Sequence, residues 1–252
     1  MPDMSDTADT RPYAIAEQIA PTVRRVLARN PSHFTYTGTQ SYIVGTGREV
    51  AVIDPGPNEA EHLDALVAAI GPARLSAILC THTHRDHSPA AAPLAQRTGA
   101  RINGCAPLTL ADEGPRSDAA FDATYAPDAV MADGDTIGGD GWTLTAVATP
   151  GHTSNHLCYA LREDAALFSG DHVMGWSTTV VSPPDGDMTD YMASLALLQE
   201  REDAVYFPAH GAAVDKPRQL VRGMIGHRRS RENQILKHLA EGRARIDDMV
   251  PA

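Results

Sequence analysis

Four side chains that commonly bind metal ions lie close together in one short stretch of the chain. The stretch THTHRDHS, residues 81–88, contains His82, His84, Asp86 and His87 and directly follows the apolar run LSAILC. Imidazole and carboxylate groups together suit zinc, and iron or manganese accept the same set. The apolar run predicts a buried strand, at whose end a rigid sheet can direct several side chains to one point. The stretch therefore predicts a metal site that takes further ligands from elsewhere.

Three more histidine or aspartate residues follow predicted strands later in the chain. His152 follows LTAVATPG, Asp171 follows AALFSG and His210 follows AVYFPA. Six or seven such ligands suit two neighbouring ions, one with three imidazoles and a shared carboxylate, the other with two imidazoles and two carboxylates. No cysteine is placed to serve as a ligand. We therefore expect two Zn²⁺ ions, with Mn²⁺ or Fe²⁺ as alternatives.

The elements that must position these groups alternate between strands and helices. Strands are predicted at QSYIVG, EVAVID and RLSAILC in the first half, and at WTLTAVATPG, HLCYAL, AALFSGD and AVYFPAHG in the second. Helices are predicted over NEAEHLDALVAAIG, with Asn58 as N-cap and Gly71 as stop, and from Ser88 to about Thr98. Another amphipathic helix is predicted at MTDYMASLALLQER, with a core stripe of Met188, Tyr191, Leu195 and Leu198. The alternation predicts a mixed α/β architecture.

Three segments are predicted to lie outside this central pattern. Residues 1–30 are expected to form an N-terminal arm, with a polar lead and then a short helix or arm at YAIAEQIAPTVRRVLA. Residues 106–128 lack periodicity and predict a long loop or lid. Residues 31–215 are assigned to the main domain, and residues 216–252 to a basic C-terminal helix.

Composition narrows the class of protein. The chain has 252 residues and a formal net charge of −11, which favours solubility and repels polyanions at long range. Its N-terminus is acidic and polar, and no apolar run reaches the roughly 18 residues of a membrane span. We therefore expect a soluble, cytoplasmic protein with no membrane partner, whose three cysteines are small buried side chains. A secreted antibiotic-degrading β-lactamase is disfavoured.

The motifs THTHRDH, TPGHT, FSGD and PAHG, in this order, resemble those of the metallo-β-lactamase superfamily over roughly residues 35–215. The resemblance implies an α/β fold of the αβ/βα four-layer sandwich type, with a dinuclear site in the cleft between two sheets. It implies three sets of ligands: His82, His84 and His152 for the first ion, Asp86, His87 and His210 for the second, and Asp171 as the bridge. IDPG also resembles a family motif, in which Asp54 supports the site without binding metal.

Several second-half segments resemble the branch that contains beta-lactamase-like protein 2, an animal mitochondrial endoribonuclease. These segments are GHTSNHLCYAL, GDHVMGWSTTVVSPPDGDMTDYMASLALL, YFPAHGAAV and HRRSRENQIL. Members of that branch usually carry a small winged-helix-like extension after the basic helix, so we expect residues 216–252 to include the start of a truncated extension. Gln40 stands where this branch would have asparagine.

A hydrolytic mechanism follows from two neighbouring cations, which lower the pKa of a shared water to about 7. The bridging hydroxide is the expected nucleophile, and Asp86 is the candidate to orient it and carry a proton. His156 is either a proton donor to the leaving group or a supporting residue. Trp176, Thr178 and Thr179 follow the bridging aspartate and are predicted to contact substrate.

Two substrate classes remain open. The branch resemblance and the basic tail favour single-stranded RNA, because a basic stripe can position phosphates. The net charge and the scarcity of aromatic residues for base stacking favour instead a small acyl substrate such as a thioester, lactone or β-lactam. A mono-iron persulfide dioxygenase shares the HxHxDH pattern and is a minor alternative.

Overall fold

The first half of the chain forms a seven-stranded mixed sheet. The structure is a computed structural model that describes residues 12–109 and 121–249. The strands are β1 Ala16–Ala20, β2 Val23–Leu27, β3 Gln40–Val44, β4 Glu49–Ile53, β5 Arg74–Cys80, β6 Arg101–Gly104 and β7 Ala129–Val130. They lie side by side in chain order. The pairs from β1 to β4 are antiparallel, and those from β4 to β7 are parallel.

The second half forms a five-stranded sheet. Its strands are β8 Thr136–Gly139, β9 Trp142–Ala148, β10 Leu157–Leu161, β11 Ala166–Gly170 and β12 Val205–Pro208. Their order is β12-β11-β10-β9-β8, with β11 and β12 parallel and the other pairs antiparallel. A parallel pair needs a crossover, which is supplied between β11 and β12 by a helix.

Helices cover the outer face of each sheet. They are α1 Ala60–Ile70, α2 Ala91–Thr98, α3 Met188–Gln199, α4 Pro217–Ala240 and α5 Ile246–Met249. Leu66 of α1 and Leu94 of α2 pack into the core of the first sheet. Leu195 of α3 and Val221 of α4 pack on the second sheet in a separate cluster. The two sheets face each other between these layers, so the predicted four-layer α/β sandwich is confirmed.

The prediction of a helix near the N-terminus is wrong. The stretch YAIAEQIAPTVRRVLA contains β1 and β2, which form an antiparallel hairpin. Pro21 lies between them and cannot continue a helix that has already begun. Val23 and Val26 are fully buried, and β2 pairs with β3. The N-terminal strands thus belong to the first sheet, and the predicted boundary at residue 30 divides that sheet.

The predicted helices form with small differences at their ends. α1 begins after Glu59 without a side-chain cap, so the assignment of Asn58 as N-cap is wrong, whereas Gly71 ends the helix as predicted. In α3, three residues of the predicted core stripe, Tyr191, Leu195 and Leu198, are buried. The fourth, Met188, is 41% exposed. Met188 lies in the first turn, beside the cap Asp187, where the helix has not yet reached the core.

Of the predicted loop at 106–128, residues 110–120 lie outside the described residues. Residues 106–109 and 121–128 form no helix or strand of several residues.

Candidate metal centre

All seven predicted ligands lie on loops that directly follow strands, and the structure brings them together. β5 leads into residues 82–87, and β9, β11 and β12 lead into the other three. Their donor atoms form two groups in which all atoms lie within 4.8 Å of one another. The first group is His82, His84, His152 and Asp171, and the second group is Asp86, His87 and His210.

The first group is built around three imidazoles. Nδ1 of His84 lies 2.9 Å from Nε2 of His82 and 3.1 Å from Nε2 of His152. Burial, and next the neighbouring His152, lower the pKa of His84 to about 3. Burial, and then the adjacent imidazoles, hold the pKa of His82 well below its usual value. Neutral imidazoles present lone pairs, which is the form that binds a metal ion.

The two imidazoles of the second group face the carboxylate of Asp86 and also that of Asp171 from the first group. Nε2 of His87 lies 3.3 Å from Oδ2 of Asp86 and 3.5 Å from Oδ1 of Asp171. Nε2 of His210 lies 3.1 and 3.3 Å from the same two oxygens. Within its own group, Oδ2 of Asp171 lies 3.6 Å from Nε2 of His152. Its carboxylate therefore lies between the two groups.

The carboxylates beside His87 and His210 favour positive charge at the centre of the second group. Burial opposes protonation of His87, but nearby carboxylates outweigh it and raise the pKa of its imidazole well above the usual value. Burial likewise opposes ionisation of Asp171, but His210 and His87 outweigh it and lower the pKa of its carboxyl. A proton or a cation is thus strongly favoured between these groups, and a divalent cation competes with protons for the same nitrogens.

The outer nitrogens of three histidines are held by fixed acceptors. Nδ1 of His87 donates to the Asp54 carboxylate at 3.0 Å, and Nδ1 of His152 donates to the backbone carbonyl of Val180 at 2.6 Å. Nδ1 of His210 donates to the carbonyl of Gly38 at 3.1 Å. Such contacts fix the tautomer and point Nε2 inward.

Buried atoms at the centre lack hydrogen bonds within the described structure. They are Nε2 of His87, Nε2 of His210 and Oδ1 of Asp171. Buried polar atoms of this kind are rare unless an ion or water satisfies them. The donor set of imidazole and carboxylate, together with these atoms, fits a pair of divalent cations.

Asp54 lies behind the centre, as expected of a supporting residue. Its carboxylate accepts hydrogen bonds from the backbone N–H and the hydroxyl of Thr81, both at 2.8 Å, besides that from His87. Three donors on one buried carboxylate hold the end of β4 against the end of β5.

His156 does not face the cleft, so the structure does not support its role as a proton donor. It is buried, its Nδ1 lies 2.9 Å from the hydroxyl of Thr149, and its Nε2 accepts a hydrogen bond from the backbone N–H of Asp171 at 3.3 Å. Both ring nitrogens are therefore engaged by the protein, and the side chain supports the loop that carries Asp171.

The three predicted substrate contacts are not among the residues that line the cleft at the ligands. Thr179 is buried, and its hydroxyl bonds to backbone carbonyls. Thr178 is exposed, and Trp176 stacks on Tyr36 with ring centroids 4.9 Å apart. Proximity to Asp171 in sequence did not distinguish these three residues from Met174 and Val180 of the same segment, whose side chains do line the cleft.

The cleft is instead lined by apolar side chains that sequence reasoning missed. Phe34, Met174 and Val180 surround the opening over His84, Asp86, His152 and Asp171. Phe34 is 55% exposed and Val180 is 45% exposed, so both present apolar surface at the opening. The signal available in the sequence was an aromatic residue inside the polar turn segment PSHFTYTG.

Comparison with known proteins identifies the family of the chain. The family described as the Metallo-beta-lactamase superfamily matches residues 35–210. The chain belongs to the metallo-β-lactamase superfamily. A beta-lactamase domain protein from Burkholderia ambifaria has the same fold, with a TM-score of 0.71 and 20% identity, over 90% of this chain and 80% of that chain.

Two curated relatives of this metallo-β-lactamase chain carry different names. An atrochrysone carboxyl ACP thioesterase from Aspergillus fumigatus is 35% identical over 220 residues, which is 86% of this chain and 65% of the relative. A beta-lactamase-like protein 2 homolog from Caenorhabditis elegans is 34% identical over 228 residues, 89% of this chain and 73% of the relative. The chain thus spans about two thirds to three quarters of the length of these relatives. Superfamily and relatives together class it as a hydrolytic enzyme.

No helix of this metallo-β-lactamase chain, within the part that the structure describes, is both long and apolar enough to cross a membrane.

Proposed function

We propose that the protein is a dinuclear metal-dependent hydrolase of a small acyl substrate, with a thioester as the first candidate. The observation that carries the proposal is the convergence of seven donor groups beneath an apolar opening. When bound, two divalent cations would activate a water molecule and polarise the substrate carbonyl. His82, His84 and His152 would hold one ion, Asp86, His87 and His210 the other, and Asp171 both.

The residues of the chain divide the remaining work. Asp86 lines the opening, and its Oδ2 lies 3.1 Å from Nε2 of His210, so its carboxylate can hold a water and accept its proton. Asp54 keeps His87 oriented through Nδ1. The rim of Phe34, Met174 and Val180 offers apolar surface to an acyl chain.

A thioester or ester fits this opening better than a polyanion does. The rim is apolar, and the side chains beneath it include two carboxylates. The thioesterase name of a relative at 35% identity also supports acyl chemistry for this chain.

RNA cleavage is the second candidate, supported by the helix α4. Arg218, Arg222, Arg229 and Arg231 on this helix are exposed on a chain whose net charge is −11. Exposed arginines can position phosphates. The relative named beta-lactamase-like protein 2 homolog supports the same candidate, given the branch resemblance.

The test begins with metal analysis of the full chain. Elemental analysis of protein loaded with Zn²⁺ or Mn²⁺ is followed by assays with acyl-pantetheine thioesters, lactones and a labelled single-stranded RNA. Asp86→Ala is prepared in parallel, with Asp190→Ala, an exposed residue in the first turn of α3, as matched control.

We expect two ions per chain, thioester hydrolysis by wild type and control, and loss of one ion and most turnover in Asp86→Ala. Full activity of a metal-replete Asp86→Ala protein would contradict the role of that carboxylate. RNA cleavage that disappears in Asp86→Ala, without thioester hydrolysis, would select the second candidate. One iron per chain with oxidation of a persulfide would select the dioxygenase alternative.

A further inference from the structure

The loop between Asp171 and α3 contacts two of the residues assigned to the metal centre. Thr179 in this loop is buried, and its hydroxyl lies 2.8 and 3.0 Å from the accepting carbonyls of Asp171 and His172. The carbonyl of the next residue, Val180, accepts the Nδ1–H of His152 at 2.6 Å. Movement of the segment 179–180 would therefore disturb both the bridging carboxylate and a histidine of the first group.

Arg228 of α4 holds the same segment from the C-terminal part of the chain. Its Nη2 donates to the carbonyl of Thr179, and its Cζ lies 5.4 Å from the centre of the Tyr191 ring. Tyr191 is buried, and its hydroxyl donates to the carbonyl of His172 at 3.0 Å. Arg228 is partly buried, whereas its neighbour Arg229 is exposed. The Arg228 guanidinium therefore joins α4 to the loop, whereas the side chain of Arg229 faces solvent.

We propose that Arg228 is a positioning residue of the metal centre, which fixes the segment 179–180 so that the Val180 carbonyl orients His152. The inference rests on the proposed metal-dependent function. A guanidinium makes a strong, directional hydrogen bond to a carbonyl, which a more flexible or a neutral side chain replaces only in part. His152 then keeps its proton on Nδ1 and directs the lone pair of Nε2 toward the ion.

The effect should be larger at the ion position that takes His152, because the segment reaches the other position only through the backbone of the shared Asp171. His210 donates its Nδ1–H to Gly38, and His87 donates to Asp54, so neither depends on the segment that Arg228 holds. α4 lies beyond residues 35–210, the part that matches the family. The helix is thus a component of the centre, although it supplies no ligand.

The test compares Arg228→Gln and Arg228→Lys with Arg229→Gln as matched control, all in the full chain. Zn²⁺ affinity and stoichiometry are measured by competition with a chromogenic chelator. Ring ¹⁵N spectra of the metal-free proteins report which nitrogen of His152 carries the proton. We expect Arg228→Gln to weaken one of the two ions by roughly 10- to 100-fold and to lose the Nδ1–H preference of His152. Arg228→Lys keeps the charge without the planar fork, so a smaller loss, about two- to fivefold, is expected.

Unchanged affinity for both ions and an unchanged His152 tautomer in a folded Arg228→Gln protein would overturn the inference. If that variant does not fold, Arg228→Lys decides, and wild-type affinities and tautomer there would overturn it. A similar loss in Arg229→Gln would also overturn it, because the effect would then reflect general charge. Absence of metal binding by wild type would refute the proposed function instead, and the tautomer spectra would still test the contact from α4.

Discussion

His87 donates its Nδ1–H to the carboxylate of Asp54 across 3.0 Å, and both side chains are buried. Asp54 has a φ of 47°, in the left-handed region that non-glycine residues rarely adopt. Strained backbone of this kind persists where surrounding contacts over-determine it, and here three hydrogen bonds converge on the carboxylate. The turn after β4 thus orients an imidazole on the neighbouring strand's loop.

Asp54→Asn should weaken the second ion while leaving the fold intact. An amide nitrogen in place of Oδ2 would oppose the Nδ1–H of His87 and favour the wrong tautomer, at a cost of roughly 10- to 100-fold in metal affinity. Chelator competition measures the loss. Asp128→Asn is the control, because that carboxylate accepts only from the backbone N–H of Ile102 among its described hydrogen bonds, away from the ligands. Equal affinities in the two variants would contradict the prediction.

Gly151→Ala should destabilise the protein and disturb His152. Gly151 has a φ of 137°, and an added Cβ would lie 2.3 Å from Cα and 2.4 Å from N of Tyr191. Backbone strain and overpacking together should cost roughly 2–4 kcal/mol in the free energy of unfolding, measured with urea. Gly223→Ala on α4 is the control, since nothing lies within 4 Å of its added Cβ. Stability equal to that control would refute the packing argument.

Phe34→Ala should reduce activity on apolar acyl substrates without changing metal content. Phe34 is already 55% exposed, so only part of its surface can be covered by substrate. A loss of roughly tenfold in kcat/KM is expected for long-chain thioesters, and less for acetyl thioesters. Phe34→Leu should retain most activity. A loss that is independent of acyl chain length would show that Phe34 does not contact the chain.

Acid should destabilise the fold through His62, which is not a metal ligand. His62 is buried with Nε2 2.8 Å from the Ser41 hydroxyl, and burial lowers the pKa of its imidazole to about 4. The folded pKa of His62 lies below its unfolded value of about 6.5. Its contribution to the free energy of unfolding is therefore fully present above about pH 6.5 and is lost as the pH falls toward about 4. Between pH 7 and pH 5, the free energy of unfolding should fall by about 2 kcal/mol more for wild type than for His62→Gln.

Urea unfolding of both proteins across this pH range measures the difference, in which titration of all other groups cancels. Parallel stability curves for wild type and His62→Gln would show that His62 titrates equally in the folded and unfolded states.

The grouping of the candidate ligands could be predicted because each loop that carries them follows an apolar run. His82, His152 and His210 each follow a strand whose burial is evident from its composition, so strand ends define where they meet. The sandwich follows from the same runs. Strand β7 has only two residues and β8 has the sequence TIGG, so neither is long or patterned enough to be predicted, and both form by pairing with β6 and β9.

The cleft rim and the supporting residues were harder to predict. Phe34 lies in a segment without periodicity, and only the folded chain brings it over the ligands. The proximity of Thr179 to Asp171 in sequence suggested substrate contact, whereas its hydroxyl bonds to the backbone. Arg228 was one basic residue among several on α4, and only tertiary contact distinguishes it from Arg229.

Each donor group joins residues from both halves of the chain. His82 and His84 meet His152 and Asp171, and residues 86–87 meet His210. During synthesis, neither group is complete before the second sheet has left the ribosome and docked on the first. An ion captured there would act as a cross-link between two sheets that are distant in sequence, and its binding energy would be shared with their docking. Removal of metal should therefore loosen the contact between the sheets before it unfolds either one.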